Sequence, residues 1–358
     1  MLAFVSVVVS VCVACSDPPA AVLATGSSSA QAGAPGGGGG GAGAGVNGSG
    51  TASVPASGGA GAGAGGANTG GTVTAGAAGS ASGGGSGTVT FEGGAIAAVS
   101  LTYDDGLDPH LAIVQPALEA AGLRGTFFLS NFEGVEHDWA LPSVAAPLEA
   151  LLPRHLAWQA AGQRGHELAG HTVNHPCDDP AKAPNYHLVN YTLARMAAEL
   201  DENLARLARL DAQSPLTFAY PCASDKKGVG PSGEDYSPLV AARFVAARVS
   251  VSGIADPSAV DLLHVPQLDT GGKTGDQLKQ MVDDAIAKKG WLVLLFHGVG
   301  SEASCNGSLV YAPDQCMINY LTTSSEAHAA LVQYLVEKKT QVWTAPFGTV
   351  AKRIRDGR

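Results

Sequence analysis

The stretch Ala95-Ile-Ala-Ala-Val-Ser-Leu-Thr-Tyr-Asp-Asp-Gly106 decides how this chain is read. An apolar run stops at two adjacent carboxylates and a glycine, the pattern of a buried strand giving way to a turn. The pattern recurs further on. His171-Thr-Val-Asn-His175 follows a short apolar stretch, Phe218-Ala-Tyr-Pro-Cys222 ends another, and His297 closes Trp291-Leu-Val-Leu-Leu-Phe296. Each time the polar group stands where the apolar run ends.

Working outward, β-rich runs at 96–103, 125–130, 167–170, 216–220, 244–251, 262–265, 292–296 and 341–345 alternate with stretches of helical apolar spacing at 109–121, 147–162, 190–210, 275–289 and 325–338. In the third of these helices the stripe is Leu193, Met196, Ala197, Leu200, Leu204 and Leu207. A βαβα succession predicts a parallel sheet. No Gly-x-Gly-x-x-Gly follows the first strand, which argues against a dinucleotide fold. The expected fold is α/β, a distorted (β/α) barrel of about seven strands. In such barrels the chemistry gathers at the carboxyl ends of the strands, where every polar motif named above falls.

The first quarter of the chain is of another kind. From Pro18 to Phe91 there is no Asp, Glu, Lys, Arg or His, and almost every residue is Gly, Ala, Ser, Thr or Val. Such a segment cannot bury enough apolar surface to offset its ordering entropy. Met1 to Ala14 is an apolar run of signal length, too short for a bilayer, with small residues before Cys15. It resembles a bacterial lipoprotein signal with Cys15 as the lipidation site. The expected organisation is therefore a signal over 1–15, a flexible Gly/Ala/Ser-rich linker over 16–88, and a catalytic domain over 89–358. The expected location is the cell envelope, with the membrane reached through a lipid anchor only. The net charge of -10 and the lack of an extended Lys/Arg cluster leave nucleic-acid binding without support. The expected state is a monomer.

Two of the six cysteines, Cys12 and Cys15, belong to the signal. The other four permit three pairings, and an exported chain permits disulfides. Loop placement favours Cys177 with Cys222, joining two loops that carry site motifs, and Cys305 with Cys316, closing a short loop.

Asp104 and Asp105 cannot both ionise freely side by side without a cation or hydrogen bonds. A turn at Gly106 brings both to one cavity, so one can hold a metal while the other acts as a base. His171 and His175 are four apart, a spacing that on a helical turn puts both rings on one face. With Asp105 they make three ligands and leave positions open, a set suited to catalytic Zn and also to Co, Fe or Ni. His297, at the end of the most apolar strand, fits a catalytic acid. Backbone N–H groups after Tyr220 and Pro221, at Cys222 or Ala223, are placed to face an oxyanion. Tyr103, Trp139, Tyr220 and Tyr236 are candidates to stack on a sugar, whereas Trp158, Trp291 and Trp343 fit the core. His166, His264 and His328 fall outside the metal set.

Taken together, Thr102-Tyr-Asp-Asp-Gly106, His171-Thr-Val-Asn-His175, Phe218-Ala-Tyr-Pro221 and Leu295-Phe-His297 resemble, in order, the motifs of the polysaccharide deacetylase family with the NodB-type domain, carbohydrate esterase family four. The resemblance covers about residues 95–350. It implies metal binding by Asp105, His171 and His175, Asp104 as general base and His297 as general acid. It also implies a polysaccharide substrate, a divalent metal, and hydrolysis of an acetamido group to amine and acetate. Many members carry an arginine in the third motif, which here reads Phe-Ala-Tyr-Pro, and the family's Asp-Trp motif has no clear counterpart. Arg248 and Asp269 are the candidates for that support, left unassigned. An O-acetyl esterase or small-amide deacylase on the same site, and a silent carbohydrate-binding protein, are the competing readings.

Overall fold

The computed structural model describes residues 89–131, 140–145, 147–178, 184–211, 217–300 and 321–358. The expected signal, the linker up to residue 88, Trp139 and the Cys305–Cys316 pair lie outside the described residues.

Seven strands form the frame: β1 (Ala97–Asp104), β2 (Thr126–Leu129), β3 (Glu167–Gly170), β4 (Thr217–Ala219), β5 (Ala246–Ser252), β6 (Val265–Asp269) and β7 (Trp291–Phe296). They pair in chain order, all parallel, and β7 returns to β1 to close a barrel. β8 (Gly298–Gly300) and β9 (Thr322–Ser324) make a separate two-stranded parallel ribbon. Its Thr323 hydroxyl donates to the Thr270 carbonyl just after β6, at 3.0 Å. The distortion of the barrel comes from β10 (Val342–Thr344). It takes the first half of β1 (Ala97 to Val99), leaving only Thr102 to Asp104 for β2.

Around the frame run α1 (Gln115–Ala120), α2 (Pro153–Gln163), α3 (Leu193–Leu210), α4 (Ser237–Ala241), α5 (Gly275–Lys288), α6 (Ser325–Glu337) and α7 (Phe347–Asp356). Strand alternation sorts the side chains into two sets. On β1, Ala97, Val99, Leu101 and Tyr103 belong to a core shared with Leu118, Trp158, Leu278, Val282, Leu331 and Leu335 of the helices. Ala98, Phe128, Ala169, Ala219, Ala246 and Val293 make a second core that includes Phe347, Val350 and Ile354 of α7. By that parity Ser100, Thr102 and Asp104 belong with Ala98, and Arg248 with Ala246. The second core thus starts at α7 and ends, at the carboxyl ends of the strands, in charged groups.

Several boundaries depart from the sequence reading for local reasons. The sixth strand starts at Val265, because the Asp261 side chain accepts from the Leu263 backbone and turns the chain before it. The first helical stretch opens as a π-helical turn over His110–Val114 before α1. The second helix begins at Pro153, where proline's fixed φ suits the first turn, and not at 147. α3 begins after Thr192, whose hydroxyl caps the Arg195 N–H. α7 lies outside the helical stretches read from the sequence, although Phe347, Val350, Ala351 and Ile354 carry helical spacing and are buried.

Candidate metal centre

Asp104 ends β1, and Asp105 follows it in the left-handed region at φ 74, with Gly106 at φ 64. Strand alternation alone would send Asp105 away from Asp104. The two successive positive-φ residues turn it back to the same side. Gly106 admits no side chain, since a Cβ there would lie 2.8 Å from Ala140 Cβ and 3.0 Å from Leu129 Cδ2. The carbonyl of Gly106 accepts from Arg154, which also pairs with Asp108 at 2.5 Å.

His171 leaves β3 at once. Residues 171–175 form no helical turn. They form a loop with Thr172 at φ 60 and His175 at φ 48, so the four-residue spacing works through two left-handed residues rather than through helix periodicity. The result still places both imidazoles together, with ring centroids 4.7 Å apart and planes at 75°. A disulfide between Cys177 and Cys222, with Cα atoms 5.7 Å apart, ties this loop to the one after β4. Cys222 itself is at φ 49, and its Sγ lies 4.0 Å from His175 Nδ1.

Asp105, His171 and His175 are buried and offer ligand atoms all within 4.8 Å of one another. His171 Nδ1 donates to the Ala219 carbonyl at 2.7 Å, so the neutral ring presents Nε2 as an acceptor. That Nε2 faces Asp105 Oδ1 at 3.5 Å, and His175 Nε2 is 3.4 Å from the same oxygen. Asp105 Oδ1 and His171 Nε2 are buried with no hydrogen-bond partner. Acceptors turned on one another in a dry site repel unless a cation stands between them. Ligand atoms held at Zn-like bond lengths and tetrahedral angles lie about 3.3–3.5 Å apart. The donor set and its spacing therefore fit a divalent metal. Burial would raise the Asp105 carboxyl. When protonated, His171, His175 and His297 outweigh burial and hold it well below the usual carboxylate range.

Asp104 has one oxygen on each side of this boundary. Oδ1 is paired with Arg248 Nη2, and Oδ2 lies 3.7 Å from His171 Nε2. Arg248 is buried, its other terminal nitrogen donates to Gln267 Oε1, and its guanidinium carbon lies 5.0 Å from the Phe128 ring centroid. Of the two candidates, Arg248 makes the contact with Asp104, from β5. Asp269 does not share it. Asp269 is exposed and its carboxylate accepts from the Gly271 N–H at 3.0 Å.

His297 follows β7 and is half-buried, with a buried Nδ1 that has no partner among the described residues. Its carbonyl accepts from His110 Nε2 at 2.6 Å, while His110 Nδ1 accepts from Leu107 N–H at 3.2 Å. Burial pulls His110 down to about 4, which keeps it neutral and able to play both parts. His110 so links the turn after β1 to the end of β7.

The expected aromatic surface is corrected. Tyr103, Tyr220 and Tyr236 are buried. Tyr103 shares a hydrogen bond with His328 at 2.8 Å, Tyr236 with Ser224 at 2.8 Å, and Tyr220 lies against Phe218, Tyr236 and His264. Strand alternation and core packing claim these rings before any ligand can. Trp158 and Trp291 are core, as expected. Pro221 and Cys222 open a short 3-10 helix after β4, so Cys222 combines a disulfide with the first turn of that helix.

A family model described as polysaccharide deacetylase matches residues 94–233. No curated protein matches the chain. Among solved structures, a protein assigned as a polysaccharide deacetylase from Mycobacterium smegmatis is similar at 14% identity, over 75% of this chain and 93% of that one, with a TM-score of 0.48. A family 4 carbohydrate esterase from Streptomyces lividans, in complex with acetate, is similar at 17% identity over 69% and 91%, with a TM-score of 0.39. A family 4 acetyl xylan esterase from Clostridium thermocellum, in complex with a cobalt ion, is similar at 15% identity over 70% and 89%, with a TM-score of 0.41.

Proposed function

We propose that this chain, whose residues 94–233 match the polysaccharide deacetylase family model, is a member of that family and a metal-dependent hydrolase that removes N-acetyl groups from a polysaccharide of the cell envelope or its surroundings. The observation that carries this reading is the convergence of three ligand groups: Asp105 Oδ1 with His171 Nε2 at 3.5 Å and His175 Nε2 at 3.4 Å, beside Asp104 Oδ2.

Asp105, His171 and His175 would hold the ion, with Zn the first choice and Co, Fe or Ni able to use the same ligands. Bound there, a divalent cation supplies Lewis acidity that polarises an acyl oxygen and brings the pKa of water from 15.7 toward about 7. The remaining steps belong to side chains. Asp104 is fixed by Arg248 through Oδ1, which leaves Oδ2 to take a proton from the attacking water. His297, across the mouth at the end of β7, gives a proton to the departing nitrogen, and acetate and a free amine result. Each such proton transfer contributes about 10²–10⁴-fold. Backbone N–H groups at Cys222 and Ala223 would receive the charge that develops on the acyl oxygen. A lipid-anchored position at the envelope, through Cys15 and the linker, completes the proposal.

The test is acetate release from N-acetylglucosamine oligomers, peptidoglycan and acetylated xylan, each with and without a chelator. The expected result is chelator-sensitive release from an N-acetylated glycan. Release from acetylated xylan alone would move the activity to an O-acetyl esterase. Release that ignores the chelator would remove the metal from the mechanism.

A further inference from the structure

The loop that carries both histidines holds an uncommon backbone, with Thr172 and His175 left-handed, and side chains of α3 bind it. Four of its backbone N–H groups are claimed by side chains. His171 N–H donates to Asn203 Oδ1 at 3.3 Å, Val173 and Asn174 N–H both donate to Glu199 Oε2 at 3.1 Å, and His175 N–H donates to Thr172 Oγ1 at 3.0 Å. Glu199 Oε1 accepts from Asn174 Nδ2 at 2.5 Å and from the Tyr191 hydroxyl at 2.9 Å. Asn203 Nδ2 donates to the Thr172 carbonyl at 2.8 Å and to the Leu129 carbonyl at 3.1 Å.

Glu199 and Asn203 are one turn apart on the buried face of α3, among Met196, Leu200, Leu207 and Leu210. Helix packing alone would be served better there by an apolar residue, since a buried carboxylate is costly unless it is hydrogen-bonded. Among the described residues its hydrogen bonds run only to the histidine loop and to Tyr191. Burial and the Glu199 charge push the Tyr191 phenol up, which keeps it a donor, and Arg195 lies 3.8 Å over the Tyr191 ring.

We propose that Glu199, assisted by Asn203 and Tyr191, is a positioning residue for the metal centre: it fixes the backbone at 173–174 and thereby the separation and direction of the His171 and His175 rings. This inference rests on the metal-site reading above. Groups that orient ligands from outside the coordination sphere alter metal affinity by about 10–100-fold when removed.

The test is Co(II) and Zn(II) affinity of the full chain, by competition with a chromophoric chelator, together with the visible bands of the Co(II) protein. Glu199→Gln should weaken binding by about 10–100-fold and shift the Co(II) bands. Tyr191→Phe, which keeps the ring and frees only Oε1, should shift both in the same direction by less. Glu202→Gln, on the exposed side of α3 and paired with Arg206, should change neither. If the wild-type chain binds the ions and Glu199→Gln matches it in affinity and spectrum, the positioning role is overturned and the metal site stands. If the wild-type chain binds neither ion, the metal-site reading falls and takes this inference with it. If Glu199→Gln does not fold, Tyr191→Phe decides, and an unchanged affinity and spectrum in that variant overturns the proposal.

Discussion

β3 starts at a half-buried carboxylate and is followed by a buried imidazole, and the two ends are built on opposite terms. At its start, Glu167 is surrounded by donors: Thr217 Oγ1 at 2.6 Å, Gly348 N–H at 2.8 Å and Thr126 Oγ1 at 2.9 Å. Past its end, His171 Nε2 faces carboxylate oxygens, Asp105 Oδ1 at 3.5 Å and Asp104 Oδ2 at 3.7 Å. Burial raises the Glu167 carboxyl despite the bonds from Thr217, Gly348 and Thr126, whereas the histidines hold Asp105 down. The backbone follows the same division. Asp105, Thr172, His175 and Cys222 are left-handed, all close to the centre, and the fifth such non-glycine residue, Lys289, merely caps α5. Left-handed φ in non-glycine residues costs energy and persists where the surroundings impose it. A carboxylate with every donor in place closes a structure. One that faces lone pairs is suited to a cation.

The largest effect that can break this contrast is catalytic. Asp104→Asn should keep metal content and lose about 10²–10⁴-fold in turnover, read as acetate release under saturating substrate. Wild-type turnover would remove Asp104 as the base. Next comes the ion pair behind it. Arg248→Met leaves a buried carboxylate without its cation and should cost about 3–5 kcal/mol of stability, read by denaturant unfolding. At the other end of β3, Glu167→Ala strips the partners from Gly348 N–H and two threonine hydroxyls. It should cost about 1–3 kcal/mol and leave metal content unchanged. A loss of metal in Glu167→Ala would erase the distinction between the two ends.

The smallest effect is a slope. Burial pulls His166 and His328 down to about 4, below an ordinary histidine near 6.5. The unfolded chain then binds protons that the folded chain refuses, so their contribution is complete above about 6.5 and is lost as pH falls toward about 4. The unfolding temperature should fall over that window, and His166→Gln should make the fall shallower. A flat profile between those limits would show that these rings charge freely in the fold.

Much of this was legible in residue order. Apolar runs ending at Asp104, Gly170 and Phe296 marked both the barrel strands and the rim where the chemistry gathers, because a parallel barrel buries every strand on both faces. Asp105, His171 and His175 were named as one set, and Cys177 was paired with Cys222. What escaped lay in long-range geometry. Arg248 stands 144 positions from Asp104, and only the inward parity of β5 brings them together. Glu199 and Asn203 hid because the α3 stripe was drawn one phase off. The buried residues are Met196, Glu199, Leu200, Asn203, Leu207 and Leu210, and a polar pair recurring on an apolar face was the signal to follow. Tyr103, Tyr220 and Tyr236 were offered to a sugar because composition does not say which face of a strand a ring takes.

The claim on which the rest stands is that one ion joins Asp105, His171 and His175. Its most direct test is the metal content of zinc-loaded, desalted protein by elemental analysis, in the wild type and in His175→Ala. The account expects a single equivalent in the wild type and a clear loss in the variant. No retained metal in the wild type, or full occupancy in His175→Ala, would contradict it.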